Sequence, residues 1–250
     1  MKTPITILKS VPLKAWPFPI TKRFALATDG TVQKVSPSLP RWFTARVETV
    51  CDIRDLARLL TAQERRKDEC VIRGEPVPGL DLSQKVRRLK YADKDYSTGE
   101  VHPATFRSVA RGVRWLCFDF DKLPCPAEID PVAAPQDAWL FFSYLLPEEF
   151  HEVTFFAQWS ASAGMDGWKT ISGHLWFMLA EPIHDDDLRE WAVASGASID
   201  PALFNAVQIH YTAAPIFSRG VENPCKIRSG LAPGNRDTVS LNIQRRAIAA

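Results

Sequence analysis

Two carboxylates in the stretch Trp115-Leu116-Cys117-Phe118-Asp119-Phe120-Asp121 are the residues of this 250-residue chain best placed to do chemistry. The stretch reads as a β-strand that runs through the core and ends in acid. Side chains alternate faces along a strand, so Leu116, Phe118 and Phe120 share one face and Cys117, Asp119 and Asp121 the other. The two carboxylate stems are roughly 6.6 Å apart along the strand, and their oxygens can converge. Such a pair repels unless it holds a cation or shares a proton. Its spacing suits two divalent ions about 3.5–4 Å apart, the arrangement used for in-line phosphoryl transfer. An Asp pair also occurs in calcium sites, at turn caps and in glycosyltransferases.

Other residues can complete such a site. His174 opens a strand after Ser172-Gly173, a small-residue turn whose backbone amides can approach a phosphate. Asp200 offers a third carboxylate, or else a helix cap before Pro201. Gln208 and His210 share one face of an expected strand, Val207 to Tyr211, with Tyr211 on the other. They can read a sugar or phosphate, or satisfy buried backbone groups. Lys226 and Arg228, two apart in an extended segment, can clamp phosphate oxygens or form an exposed pair. Asp185, Asp186 and Asp187 are assigned to the first turn of a helix, where acidic residues belong, and to no site.

The elements that must position these groups follow from pattern. Residues 1–20 are proline-rich and read as an irregular lead-in. Asp29-Gly30, between Arg23–Ala27 and Thr31–Val35, signals a hairpin, and Ser36 to Pro40 is a break. Thr44 to Val50 reads as a strand. Asp52 caps a helix reaching about Lys67, with Ile53, Leu56, Leu59 and Leu60 as its apolar stripe. Strands are expected at Cys70–Arg73, Thr154–Ser160, His174–Ala180 and Asp237–Ile243, and helices at Gln136–Leu146 and Asp185–Ala194. Strands dominate with helices interspersed, which gives the α+β class.

Residues 85–114 differ in character. Lys85, Arg87, Arg88, Lys90, Lys94, Arg107, Arg111 and Arg114 face only Asp93, Asp95 and Glu100, with Tyr91, Tyr96 and Phe106 interleaved. Cations that track a backbone, with aromatics on which bases stack, describe a single-strand binding surface. The alternative is a solvated loop ahead of a core strand. The rest of the chain adds little charge. A net charge of +2, with 46% hydrophobic and 24% charged residues, is that of an ordinary globular protein, so any nucleic-acid surface is a local patch. Five cysteines without a C-x-x-C pair argue for a reducing, cytoplasmic setting and against a disulfide framework or zinc. No apolar run is long enough for a bilayer.

Phe118-Asp119-Phe120-Asp121, the run Ser172-Gly173-His174-Leu175-Trp176-Phe177 and a later acidic residue, for which Asp200 is the candidate, together resemble the archaeo-eukaryotic primase superfamily. The resemblance is to the primase-polymerases of phages, plasmids and integrated mobile elements, and it covers about residues 110–230. It implies an RRM-like antiparallel sheet with flanking helices beside a smaller N-terminal α/β module, within one catalytic domain over 1–250. The module would span 1–110 and the metal-binding core 111–250. It also implies that Asp119, Asp121 and the third carboxylate hold Mg²⁺ or Mn²⁺, and that His174 contacts the incoming nucleotide's phosphates. Ser172, Gln208, His210, Lys226 and Arg228 would be further nucleotide contacts. A hydroxyl would then attack the α-phosphorus, with catalysis by positioning and charge neutralisation.

The partners so implied are a single-stranded DNA template, nucleoside triphosphates and a helicase, fused or separate, the chain itself reading as one domain of a longer protein. Arg87, Arg88, Lys90, Arg107, Arg111 and Arg114 are the expected template contacts. Two other readings remain. A haloacid-dehalogenase-type phosphatase also starts from hhhDxD, but Leu123 stands where its loop needs a small or hydroxyl residue, and the pair lies mid-chain. A non-catalytic single-strand-binding or replication-initiator module would use 85–114 alone.

Overall fold

The computed structural model describes residues 1–12, 19–36 and 40–243. Residues 13–18 of the proline-rich lead-in, 37–39 of the expected break and the terminus 244–250 lie outside them. In chain order the elements are β1 (Thr3–Ser10), β2 (Arg23–Leu26), β3 (Val32–Val35), β4 (Phe43–Val50), α1 (Ile53–Gln63) and β5 (Glu69–Ile72). Four two-residue strands follow: β6 (Glu75–Pro76), β7 (Asp93–Lys94), β8 (Val101–His102) and β9 (Phe106–Arg107). Then come β10 (Val113–Pro124), α2 (Pro135–Tyr144), β11 (Phe155–Trp159), β12 (Thr170–Ile183), α3 (Asp185–Ala194), β13 (Ile216–Phe217) and β14 (Ser229–Ala232). The class is α+β.

The main sheet is antiparallel, in the order β10-β12-β11-β14. Its run β10-α2-β11-β12-α3-β14 follows the chain order of a β-α-β-β-α-β unit, with β12 between β10 and β11. An RRM-like sheet sets its last strand beside its first. Here β14 pairs with β11 instead, which leaves β10 at the edge. Trp115, Leu116, Cys117 and Phe118 are nonetheless all buried, because both faces of the sheet are covered. Leu116, Phe118, Leu175 and Phe177 pack with Trp139 and Phe142 of α2 on one face. Trp115, Cys117, Trp176 and Phe156 pack with Ile5, Val50, Val71 and the α1 stripe on the other.

That second layer is a three-stranded sheet, β4-β1-β5, with α1. Asp52 caps α1 as expected, accepting from the N–H groups of Arg54 (2.9 Å) and Asp55 (2.8 Å). The helix ends at Gln63, short of Lys67. The lead-in expectation fails for Thr3–Ser10, which is the central strand of this sheet. Pro4 does not prevent it, because β5 pairs only with Thr6 to Lys9 and Pro4 faces β4 alone, where a missing N–H is tolerated.

The Asp29-Gly30 hairpin forms, with Asp29 accepting from Thr31 N–H at 2.9 Å and Gly30 at φ 82°. Two expected strands do not form. Val207–Tyr211 makes a single bridge, His210 to Val71, and Asp237–Ile243 a single bridge, Val239 to Leu179. Residue 110 is also no spatial boundary. Ala206 accepts from Gly74 N–H, Ala214 donates to Glu64, and β13 pairs parallel with β2, so the chain returns to the N-terminal layer. Among the described residues no helix is long and apolar enough to cross a membrane.

Candidate active site

The site begins as a row across the main sheet. Asp119 on β10 lies opposite His174 on β12, which lies opposite Gln158 on β11, which lies opposite Ser229 on β14. Residues directly opposed in an antiparallel pair point to the same face, so the row faces the N-terminal layer. His174 Nε2 is 3.2 Å from Asp119 Oδ1, with the histidine side chain 14% exposed and the aspartate 47%. Withdrawal from water pushes the Asp119 carboxyl up. The His174 hydrogen bond and charge, with the charges of His210 and Lys22, outweigh this and hold it below the usual carboxylate value.

Asp121 is held differently. The ladder is broken between Phe120 and Leu123, and Lys122 takes φ 53°, the left-handed region. Ser172 Oγ fixes this bulge: it accepts from Lys122 N–H at 2.7 Å and donates to Asp121 Oδ1 at 3.2 Å. Bulges beside sites re-aim side chains, and this one keeps Asp121 on the face of Ser172 and His174. The glycine between those two has its own reason. A Cβ on Gly173 would lie 3.0 Å from Gln158 O and 3.1 Å from the Phe142 ring, so the close approach of β11 and α2 requires its absence.

The floor of the site is polar. Gln158 is fully buried and donates to Glu64 Oε1 at 2.8 Å and Thr212 O at 3.0 Å, tying the main sheet to the end of α1. His174 Nδ1, Gln158 Oε1, Ser160 Oγ, Thr212 Oγ1 and Arg228 Nε are buried without a partner. Such a cluster asks for water or a polar ligand. Arg228 reaches it from the strand end, its Nη1 3.4 Å from Ser160 O. Burial lowers the Arg228 and Lys67 pKa values, and Glu64 beside them opposes the shift.

The structure thus brings Asp119, Asp121, Ser172, His174 and Arg228 to one end of the sheet. Of the other expected members, His210 borders this group, near enough for charge to act between it and Asp119 and His174. Asp200 is exposed and caps the 3₁₀ turn at 201–204, accepting from Ala202 N–H at 2.9 Å. Among the described residues no three His, Cys, Asp or Glu side chains group as metal ligands, so Asp200 does not join the pair. Gln208 and His210 are not on a strand: Gln208 N–H turns back to Asn205 O at 2.9 Å. His210 is 5% exposed, with its ring against Trp115 and Trp176 at 5.7 and 5.6 Å. Lys226 is exposed.

Several cations of 85–114 are engaged internally. Arg87 pairs with Asp93 at 2.8 Å and Arg107 with Glu75 at 2.9 Å. Arg88 donates to the Val207 carbonyl, and Arg114 to Leu179 O and Met1 O. Arg88 and Arg114 are thereby tied into the fold. Lys90 lies 5.6 Å over the Tyr91 ring, and Arg111 is exposed.

Sequence reasoning missed Gln158, Glu64, Lys22 and Arg73. A glutamine inside the buried run Phe155-Phe156-Ala157-Gln158-Trp159 was the available signal, since a buried amide needs partners. Asp185, assigned only to a helix turn, is 2% exposed and pairs with buried Arg73, Nε to Oδ1 at 2.9 Å. Arg73 also donates to the Trp115 carbonyl on the open edge of β10.

The donor set suits Mg²⁺ or Mn²⁺. Two carboxylates sit on one open face, and Mg²⁺ is ordinarily held by one or two carboxylates together with water and substrate phosphates. Comparison with family models, curated proteins and solved structures returned no match.

Proposed function

We propose that this chain is a metal-dependent nucleotidyltransferase of the primase-polymerase kind, extending or starting strands on a single-stranded DNA template. The observation that carries the reading is the pairing of Asp119 with His174 across β10 and β12, with Asp121 anchored beside it by Ser172. Two carboxylates and an imidazole on one face of a sheet, next to a buried polar floor, match the chemistry of charge neutralisation that phosphoryl transfer requires.

Asp119 and Asp121 would hold the divalent ions, which neutralise phosphate charge and activate the attacking hydroxyl. His174 is oriented through Nε2 by Asp119 and donates to the incoming triphosphate. Arg228 lies at the other end of the row, where a guanidinium can donate to the nucleotide's sugar or base. Both catalytic carboxylates come from one strand whose position is set by flanking aromatic packing, which keeps the reacting groups aligned.

A second reading, a non-catalytic single-strand-binding module, is favoured by one observation. Tyr91 and Tyr96 are 72% and 90% exposed beside Lys90 and Lys94, a stacking surface that does not need the carboxylates. Incorporation by wild type, set beside Asp119→Asn/Asp121→Asn, separates the two, since the binding module expects product from neither. The polymerase reading expects that variant to bind single strands with the wild-type salt dependence and to synthesise nothing. Synthesis at the wild-type rate by the variant would contradict it.

A further inference from the structure

A cleft of about 300 Å³ opens beside Asp121, between the β2–β3 hairpin and the turn that leads into β12. Its polar walls are Lys34 from the hairpin, Lys122 from the β10 bulge, and Ser162, Asp166, Thr170 and Ser172. Asp166 is occupied by its own turn, accepting from Thr170 N–H at 3.0 Å and Thr170 Oγ1 at 2.7 Å. Lys22, at the foot of the hairpin, donates from Nζ to Ser162 Oγ at 3.1 Å. Lys34 and Lys122 are exposed, and neither forms an ion pair among the described residues.

The lysines are close enough to feel one another. Burial first, then the charge of Lys34, lowers the Lys22 pKa, with Lys122 adding to the repulsion while Asp121 and Asp119 oppose it. Two ammonium groups line the small cleft and a third, Lys22, stands against its Ser162 wall, a repulsion that a bound anion would offset. Of the hydroxyls on its wall, Ser162 keeps a proton to donate, whereas Thr170 gives its own to Asp166 and Ser172 to Asp121. The cleft also has a fixed relation to the carboxylates, because Ser172 bridges Lys122 N–H and Asp121 Oδ1.

We propose that this cleft takes the polyphosphate tail of the incoming nucleotide, with Lys34 and Lys122 on its outer phosphates and Ser162 along it. The assignment rests on the nucleotidyl-transfer reading and gives it a direction. The α-phosphate lies at Asp119 and Asp121, the tail points under the hairpin, and the base and sugar lie on the opposite side, toward Gln158 and Arg228. The hairpin is then a binding element that the core sheet alone would lack.

The test is calorimetric titration with inorganic tripolyphosphate, without metal and at two salt concentrations, alongside nucleotide incorporation. The variant is Lys34→Glu/Lys122→Glu, two exposed side chains whose replacement leaves the Lys122 N–H in place. Wild type is expected to bind tripolyphosphate, more weakly at higher salt, and the variant to bind it at least about tenfold more weakly. The KM for nucleotide is expected to rise more than kcat falls. Equal binding by wild type and variant, or no binding by wild type, would overturn the cleft's role, and incorporation by that same wild type would leave the polymerase reading standing. Lysine-dependent binding in a protein that incorporates nothing would support the cleft and remove that reading.

Discussion

Ser172 has two tasks that one oxygen performs together: it satisfies the N–H of a residue in left-handed backbone and it positions the Asp121 carboxylate. Ser172→Ala removes both bonds. The expected stability loss in urea denaturation is about 1–2 kcal/mol, the cost of a half-buried donor and acceptor losing their partner. Incorporation at saturating nucleotide should fall further than that loss alone would produce. Gly173→Ala meets a backbone oxygen and an aromatic ring at 3.0 and 3.1 Å, and overpacking of this kind costs roughly 1–3 kcal/mol; the same titration reads it. At this scale much was legible from sequence. Asp119, Asp121, Ser172 and His174 are set by strand alternation and short spacing. Gln158 with Glu64, and Lys22 with Ser162, were not, because each contact joins residues 94 and 140 positions apart.

At the scale of elements, β10 pairs along one side only, with β12. As an edge strand it presents unpaired backbone, and Arg73 covers part of that edge while pairing with Asp185 of α3. Arg73→Met should cost roughly 3–5 kcal/mol, since it leaves a carboxylate buried and unpaired. Arg73→Met/Asp185→Leu should recover most of that loss, and comparison of urea midpoints for the single and double variants checks it. A double variant no more stable than the single one would show that Arg73 acts chiefly through the Trp115 carbonyl. Strands and helices were readable from their periods. The edge position of β10 was not, because strand order is a matter of distant pairing. Asp185 stands in the first turn of α3 as expected, a sufficient local explanation for a carboxylate, and only the fold shows it buried against Arg73. Val207–Tyr211 has the composition of a strand, yet after the turn at Asn205 it finds only Val71 to pair with.

For the molecule as a whole, His210 joins the two layers, its backbone pairing with Val71 of the N-terminal sheet and its ring edge-on against two tryptophans of the core. Burial, with the nearby charges of Arg73 and His174, depresses its pKa to about 3. The unfolded chain takes up this proton below about pH 6.5 while the folded chain does not. The stabilisation is therefore complete above about pH 6.5 and is lost as the pH falls toward 3. Stability should drop by about 2 kcal/mol between pH 6.5 and 5, at about 1.4 kcal/mol per unit. His210→Phe should flatten that slope in thermal melts. The α+β class was legible in the sequence. The return of residues 206–217 to the first layer was not, since no local pattern marks it. The most direct test of the account is incorporation of labelled nucleotides on primed and unprimed single-stranded templates, with and without Mg²⁺ or Mn²⁺. The account predicts template-dependent product that requires the divalent ion and is absent from Asp119→Asn/Asp121→Asn. Folded wild-type protein that binds single strands but makes no product with either ion would contradict it.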